Sequence, residues 1–216
     1  ILAPLQLAAT TDIIPPQNWN AGWESSFSPV EVPGFCVVRA GFHPSPPAGL
    51  IDLVITPKMS FGTGHHATTF QMLQAMEKLA FTGKSVLDFG TGTGVLAILA
   101  EKLGAAGILA IDNDVWSIEN ATENAALNHC RQVVLARADR LPEDRKFDII
   151  LANINRHVIL ANLPALKDCL AENGVLVISG LLQADGPDLE KAIQATSLSL
   201  TDKREKESWL CWTLKA

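Results

Sequence analysis

The chain has 216 residues, 48% of them apolar, and carries a formal net charge of −6. That length suits one domain of ordinary size plus an appendage, and no apolar run approaches the roughly 20 residues needed to span a bilayer. An acidic body is a poor general binder of nucleic acid, whose phosphates need clustered Lys and Arg. No direct nucleic-acid contact, no membrane and a basic protein partner are therefore expected. The four cysteines, Cys36, Cys130, Cys169 and Cys211, are scattered and form no C-x-x-C. Neither a zinc site nor a disulfide frame is indicated, and reduced thiols in a cytoplasmic enzyme are expected. No signal peptide is visible at the start of the chain.

Residues 1–50 hold most of the prolines, including Pro15-Pro16 and Pro44-Ser45-Pro46-Pro47, which favour extended or turning chain. Trp19, Trp23 and Phe27 stand at helical spacing, which predicts a short amphipathic helix over 18–27 with an aromatic packing face. Two strands over 35–40 and 51–55 are expected to pair. From about residue 68 the pattern alternates. Thr68 or Thr69 can cap a helix running to about Ala80. Strands follow at 85–89, 107–112, 132–136, 147–152 and 175–179, with helices at 93–103, 115–128, 156–171 and 185–196. Residues 198–214 read as two strands about a charged turn, Lys203-Arg204-Glu205-Lys206-Glu207. Alternating β and α with apolar strands means a largely parallel sheet covered on both faces. Ligands of such sheets sit at the carboxyl ends of the strands, where Gly90, Asp112, Asp139 and Asn153 all fall.

Val86-Leu87-Asp88-Phe89-Gly90-Thr91-Gly92-Thr93-Gly94 runs from strand through a glycine turn into a helix. Glycines let backbone N–H groups approach a ligand closely. Asp112 follows Gly92 by roughly 20 residues, the spacing that puts a carboxylate under a ribose. The loop also fits G-x-G-x-x-A through Gly92, Gly94 and Ala97, so a dinucleotide remains open on the glycines alone. Two features favour S-adenosylmethionine (SAM): the G-x-G-x-G cluster, and Asp88 two residues before the first glycine, where methyltransferases place a carboxylate near the methionine end. Asn113 and Asp114 can reach the adenine edge, though Asp114 suits a helix cap better. Asp139 can accept from the adenine amino group or be a plain solvated loop acid.

The segment 59–69, with two glycines and three threonines, reads as a loop closing over a ligand. His65 and His66 have no nearby Cys or carboxylate, so no metal is expected and a hydrogen-bonding or substrate-facing role is. Asn153 and the main-chain carbonyl of Ile154 follow the fourth strand of the alternating series. Acceptors there can orient the lone pair of a target amine for in-line methyl transfer. A helix N-cap is the plainer role for Asn153.

Phe61-Gly62-Thr63-Gly64-x-His66-x-Thr68-Thr69, Leu87-Asp88-Phe89-Gly90-x-Gly92-x-Gly94, Ile111-Asp112-x-Asp114 and Ala152-Asn153-Ile154 together resemble the PrmA family. So does Asn18-Trp19-Asn20-x-x-Trp23-Glu24-x-x-Phe27-x-Pro29, which is similar to that family's linker. Members are SAM-dependent methyltransferases of large-subunit ribosomal protein eleven. The resemblance implies a Rossmann-like class I fold: a mostly parallel seven-stranded sheet, helices on both faces and an antiparallel C-terminal hairpin. It implies a methyltransferase domain over 58–216. Residues 1–57 would be the linker and a remnant of an N-terminal substrate-recognition domain. Amines of the ribosomal protein, lysine side-chain and N-terminal, would be the targets, and a monomer is expected. Thr69, Gly90, Asp112 and Asn153 would contact SAM, with Phe61 and Thr63 in the closing loop. His65 and Ala67 stand where many relatives have Thr and Pro. A SAM-dependent enzyme for a small amine and a nicotinamide-dependent oxidoreductase are the alternatives.

Overall fold

The computed structural model describes residues 28–58 and 60–216. The helix expected over 18–27 and the linker motif as far as Phe27 lie outside the described residues. Among these, the chain opens with a small sheet of β1 (Val30–Val32), β2 (Cys36–Arg39) and β3 (Ile51–Val54). The two expected strands do pair, in parallel, from Cys36↔Ile51 to Arg39↔Val54. β1 was not foreseen; it is three residues long and adds antiparallel to β2. Arg39 is tolerated in this buried sheet because its Nε and one terminal nitrogen each donate to the Asp52 carboxylate at 2.7 Å.

The main unit contains α1 (Ala67–Met76), β4 (Ser85–Phe89), α2 (Val95–Lys102), β5 (Gly107–Asp112), α3 (Val115–Leu127) and β6 (Val133–Arg137). It continues through β7 (Phe147–Asn153), α4 (Arg156–Asp168), β8 (Leu170–Leu182), α5 (Gly186–Gln194), β9 (Ser199–Lys206) and β10 (Trp209–Lys215). These strands form one seven-stranded sheet in the order β6-β5-β4-β7-β8-β10-β9. The first five in that order run parallel, and β10 inserts antiparallel between β8 and β9. This is the mostly parallel sheet with a C-terminal hairpin that the sequence predicts.

Four local expectations are corrected. His66, not a threonine, caps α1: its Nδ1 accepts from the Thr68 N–H at 3.3 Å, and the helix ends at Met76. α4 stops at Asp168 rather than residue 171, because Leu170 already pairs with Phe147. β8 is correspondingly longer than 175–179. Lys203 to Lys206 lie within β9, not in the turn; Glu207 and Ser208 make the reversal with φ of 53° and 63°. The charge run marks a solvated edge strand, which discourages pairing with another chain.

Neighbouring strand residues point to opposite faces, and two cores result. Val86, Ile108, Ile149 and Val177 join α1 and α2 on one face. Leu87, Ile150, Leu176 and Ile178 join α4 and α5 on the other. Val38 and Leu53 of the small sheet, with Ile55 just past β3, share the first core, so the described part of 1–57 packs directly on the main unit. Asn128 and Asn124 secure it: the Val54 N–H donates to Asn128 Oδ1 at 3.0 Å and the Thr56 N–H to Asn124 Oδ1 at 2.8 Å. Buried Asn124 also donates to the Thr93 carbonyl at 2.9 Å, which ties the exit of β3 to the glycine turn. All four cysteines are free thiols, and burial pushes Cys36 and Cys211 up to about 12. Among the described residues no helix is long and apolar enough to cross a membrane.

Candidate active site

β4 is flanked by β5 on one side and β7 on the other, and its carboxyl end opens into a crevice. The glycine turn fills the floor. Gly90 and Thr91 both donate their N–H to the Ile111 carbonyl, at 2.9 and 3.0 Å, which folds the turn back on β5. Gly92 has a φ of 56°, and a Cβ there would lie 2.3 Å from the Phe61 carbonyl oxygen. The turn therefore accepts no side chain at that point.

At the end of β5, Asp112 accepts from the Gly92 N–H and from the Asp114 N–H, each at 3.0 Å. Its carboxylate is thereby fixed between the turn and the start of α3. Asp114 caps α3 by accepting from the Ser117 N–H at 3.1 Å, the role the sequence favoured for it.

Asp88 lies below the turn and is fully buried. One carboxylate oxygen accepts from the Thr91 hydroxyl at 2.6 Å; the other has no hydrogen-bond partner. Burial raises its pKa to about 7 against the opposing help of Thr91 and the Ala97 N–H, and Asp112 adds a small push the same way. A buried carboxyl with one oxygen unpartnered under a glycine turn is costly.

The segment 60–66 folds over this turn. Thr93 donates its N–H to the Phe61 carbonyl at 2.9 Å and its hydroxyl to the Gly62 carbonyl at 2.8 Å. Thr63 bonds His65 at 3.3 Å, and His65 Nε2 meets the Ser28 carbonyl at 2.8 Å. His66 packs edge-to-face between Phe61 and Trp209. Both histidines have hydrogen-bonding or packing roles. Among the described residues no cluster of three or more His, Cys, Asp or Glu gathers as a metal site.

Across the crevice, Asn153 ends β7 and lines the cavity, and its Nδ2 donates to the Thr69 hydroxyl at 3.2 Å. Ile154 donates its N–H to the Ser179 carbonyl at 3.2 Å. Gly180, with a φ of 96°, leaves room for the Ile154 carbonyl, which a Cβ would meet at 2.1 Å. The cap of α4 is Asn155, not Asn153: Asn155 Oδ1 accepts from the Val158 N–H at 3.2 Å. Asn153 is thus not consumed by helix capping.

These groups surround one cavity of about 520 Å3. Of the residues singled out from sequence, Phe61, Gly90, Gly92, Asp112, Asn113, Asp139, Asn153 and Ile154 line it. Thr63, Thr69, Asp88 and Gly94 do not. Thr69 and Asp88 stand directly behind the wall, holding Asn153 and Thr91, and Gly94 caps α2 against Ala121. Thr68, Ser117, Asn162, Gly180 and Trp209 also line the cavity without having been assigned to it, and so does His66, for which a hydrogen-bonding or substrate-facing role was expected. His66 and Thr68 belong to the loop motif already noted. Trp209 carries no local signal, because only the antiparallel insertion of β10 beside β8 brings it there.

Comparison with known proteins agrees with this geometry. A family model described as ribosomal protein L11 methyltransferase (PrmA) matches residues 3–216. The ribosomal protein L11 methyltransferase of Porphyromonas gingivalis is 42% identical over 203 residues, covering 93% of this chain and 70% of that protein. That of Chlorobaculum tepidum is 39% identical over 208 residues, 93% of this chain and 72% of that protein. The crystal structure of ribosomal protein L11 methylase from Lactobacillus delbrueckii subsp. bulgaricus superposes with a TM-score of 0.82 at 30% identity, covering 87% of this chain and 98% of that one. The architecture is the Rossmann-like class I methyltransferase fold. With the match running through nearly every described element, the chain belongs to the ribosomal protein L11 methyltransferase (PrmA) family.

Proposed function

We propose that this chain transfers methyl groups from SAM to amino groups of ribosomal protein L11, the lysine side chains among them. The observation that carries the reading is the single cavity that joins a ribose-type carboxylate, Asp112, to an oriented amide, Asn153. SAM fits the residues present. Asp112 is placed to accept from the ribose hydroxyls, with Asn113 and Asp139 beside it for the adenine. Gly90 and Gly92 leave the backbone bare for close approach. SAM supplies a methyl group on a positively charged sulfur.

The chain's own residues then have to present a neutral amine. A free lysine ammonium has a pKa near 10.4, and burial in a low-dielectric slot lowers it. The Asn153 amide oxygen and the Ile154 carbonyl accept N–H bonds and so turn the lone pair toward the donor. Thr69 keeps the amide in that orientation. Phe61 and Gly62, tied to Thr93, lie over the turn. A cytoplasmic, monomeric enzyme with its thiols reduced belongs to the same reading.

The test combines calorimetry with methyl transfer. Binding of S-adenosylhomocysteine, thermal stabilisation by it and not by NADH, and incorporation of labelled methyl into purified L11 are expected. No incorporation into L11 despite cofactor binding would redirect the reading to a small amine.

A further inference from the structure

A second cavity, of about 650 Å3, lies at the start of α3 and is lined by Lys58, Ser60, Asp114, Trp116, Glu119 and Asn120. It adjoins the first in the chain. Ser60 precedes Phe61, and Asp114 and Trp116 stand between Asn113 and Ser117, which line the first cavity. No step of the proposed reaction uses it. Trp116, Glu119 and Asn120 are three and four residues apart and so share one face of α3. Trp116 is 72% exposed, more than any other large apolar side chain among the described residues.

An exposed indole alone means little, but two further observations give it a ligand. The first is Asn120, which is 1% exposed. Its Oδ1 accepts from Asn124 Nδ2 at 3.3 Å. Asn124 spends its own oxygen on the Thr56 N–H and can only donate here, so the orientation of Asn120 is fixed. Asn120 Nδ2 is then left in the cavity wall without a hydrogen-bond partner. An unpaired buried donor is costly, and an oxygen acceptor seated in the cavity relieves it.

The second observation is charge. Glu123 pairs with Lys58 and offsets the cavity's cation. Asp114 caps α3 and supplies one carboxylate. Glu119 supplies another, and among the described residues no cation pairs with it. An anionic rim repels a free carboxylate and attracts a cation. A neutral main-chain carbonyl therefore suits Asn120, and a side-chain cation suits Glu119 and the indole face. Arginine meets both of the latter demands. Its planar guanidinium stacks on an indole and forks onto a carboxylate, which a Lys ammonium cannot do.

We propose that this recess docks an arginine-bearing segment of the protein substrate, with a main-chain carbonyl on Asn120 and the guanidinium between Trp116 and Glu119. The identity of the partner rests on the functional reading above; the chemistry of the recess does not. Contacts there are the same before and during methyl transfer, so they bear on KM and not on kcat.

The test titrates acetyl-Gly-Arg-Gly-amide into the nitrogen-labelled full chain and follows the Trp116 indole and Asn120 amide signals by NMR. A second peptide with citrulline in place of arginine keeps the shape and loses the charge. The arginine peptide is expected to move both signals and to bind about fivefold more tightly than the citrulline peptide. Trp116→Leu and Glu119→Gln, both at exposed positions, should each remove most of that preference. In methyl transfer the same variants should raise the KM for L11 about fivefold, with kcat and the Kd for S-adenosylhomocysteine unchanged. Signals that stay still at millimolar peptide, equal binding of the two peptides, or a preference that survives in both variants overturns the recess. A KM for L11 that neither variant moves overturns its assignment to the substrate. So does self-association seen by sedimentation in the parent and lost in Trp116→Leu, which would assign the recess to a second copy. No methylation of L11 by the parent overturns the functional reading instead, and the peptide titration, which needs neither SAM nor L11, still decides the recess.

Discussion

The two ends of the cavity are built differently. The Asp112 end draws on residues 88–139, taken from three adjacent strands that follow one another in the chain, and its contacts are mainly backbone N–H groups and carboxylates. The Asn153 end is gathered from 61–69, 153–155, 180 and 209, and its walls are rings, amides and carbonyls. The first end is built from a short local motif, so one stretch of sequence specifies it. The second depends on the order of strands in the sheet and on a loop crossing over a turn. Binding and chemistry should therefore respond separately to mutation, and the largest expected effects come from charge at the first end.

Asp88 provides the sharpest contrast. Its ordinary pKa of 3.8 applies in the unfolded chain, and burial raises it to about 7 in the folded one. Between those values the folded protein holds a proton that the unfolded chain has released. The contribution to stability is complete below pH 3.8, declines as pH rises through that window and is gone above about 7. Three pKa steps at about 1.4 kcal/mol each bound the loss at roughly 4 kcal/mol. Asp88→Asn keeps the shape and removes the titration. The variant should gain stability relative to the parent as pH rises from 5 to 8, measured by denaturant unfolding at each pH. A stability difference that does not change with pH would show that Asp88 does not titrate in this range. Among the described residues no other Asp or Glu is buried.

Next in size are paired substitutions, one at each end. Asn153→Ala removes an oriented acceptor and should lower kcat on the order of a hundredfold, with the Kd for S-adenosylhomocysteine changed by less than about threefold. Asp112→Ala should do the reverse. Loss of a charged acceptor costs about 1 to 3 kcal/mol, or roughly tenfold or more in that Kd, because Gly92 also loses its partner for the turn. Calorimetry and saturation kinetics on the same preparations decide the matter. If Asn153→Ala weakened cofactor binding as much as Asp112→Ala, the division into two ends would fail.

What the sequence disclosed follows the same division. Strands β4 and β5 agree with the pattern residue for residue, since each is a short apolar run closed by Asp or Gly. That Gly90, Gly92, Asp112 and Asn153 meet at one cavity was legible because each stands at or just past the end of an apolar strand. Thr69 and Asp88 were found as residues but their place was not: both act from behind the wall, and burial is a property of packing. Trp209 was invisible because nothing around it distinguishes a cavity ring from a core ring. The charged run 203–206 looked like a turn, yet it lies on an edge strand where one face stays in water. The edge position of β9 follows from the insertion of β10, which no local signal encodes.

The smallest expected effect concerns two neighbouring asparagines, and it separates structure from chemistry most narrowly. Asn153 and Asn155 are two residues apart on the same strand exit, and both border the cavity. Asn155 accepts from the Val158 N–H and caps α4, whereas Asn153 is held by Thr69 and caps nothing. A cap removed from an exposed helix start costs about 1 kcal/mol. Asn155→Ala should therefore lower stability by about that amount, and Asn155→Asp or Asn155→Ser should restore most of it. Asn153→Ala should cost less than Asn155→Ala in stability and far more in kcat. Unfolding curves and turnover measured side by side give four numbers. If the Asn155 variant lost turnover as severely as the Asn153 variant, the acceptor would have to be reassigned to the first turn of α4.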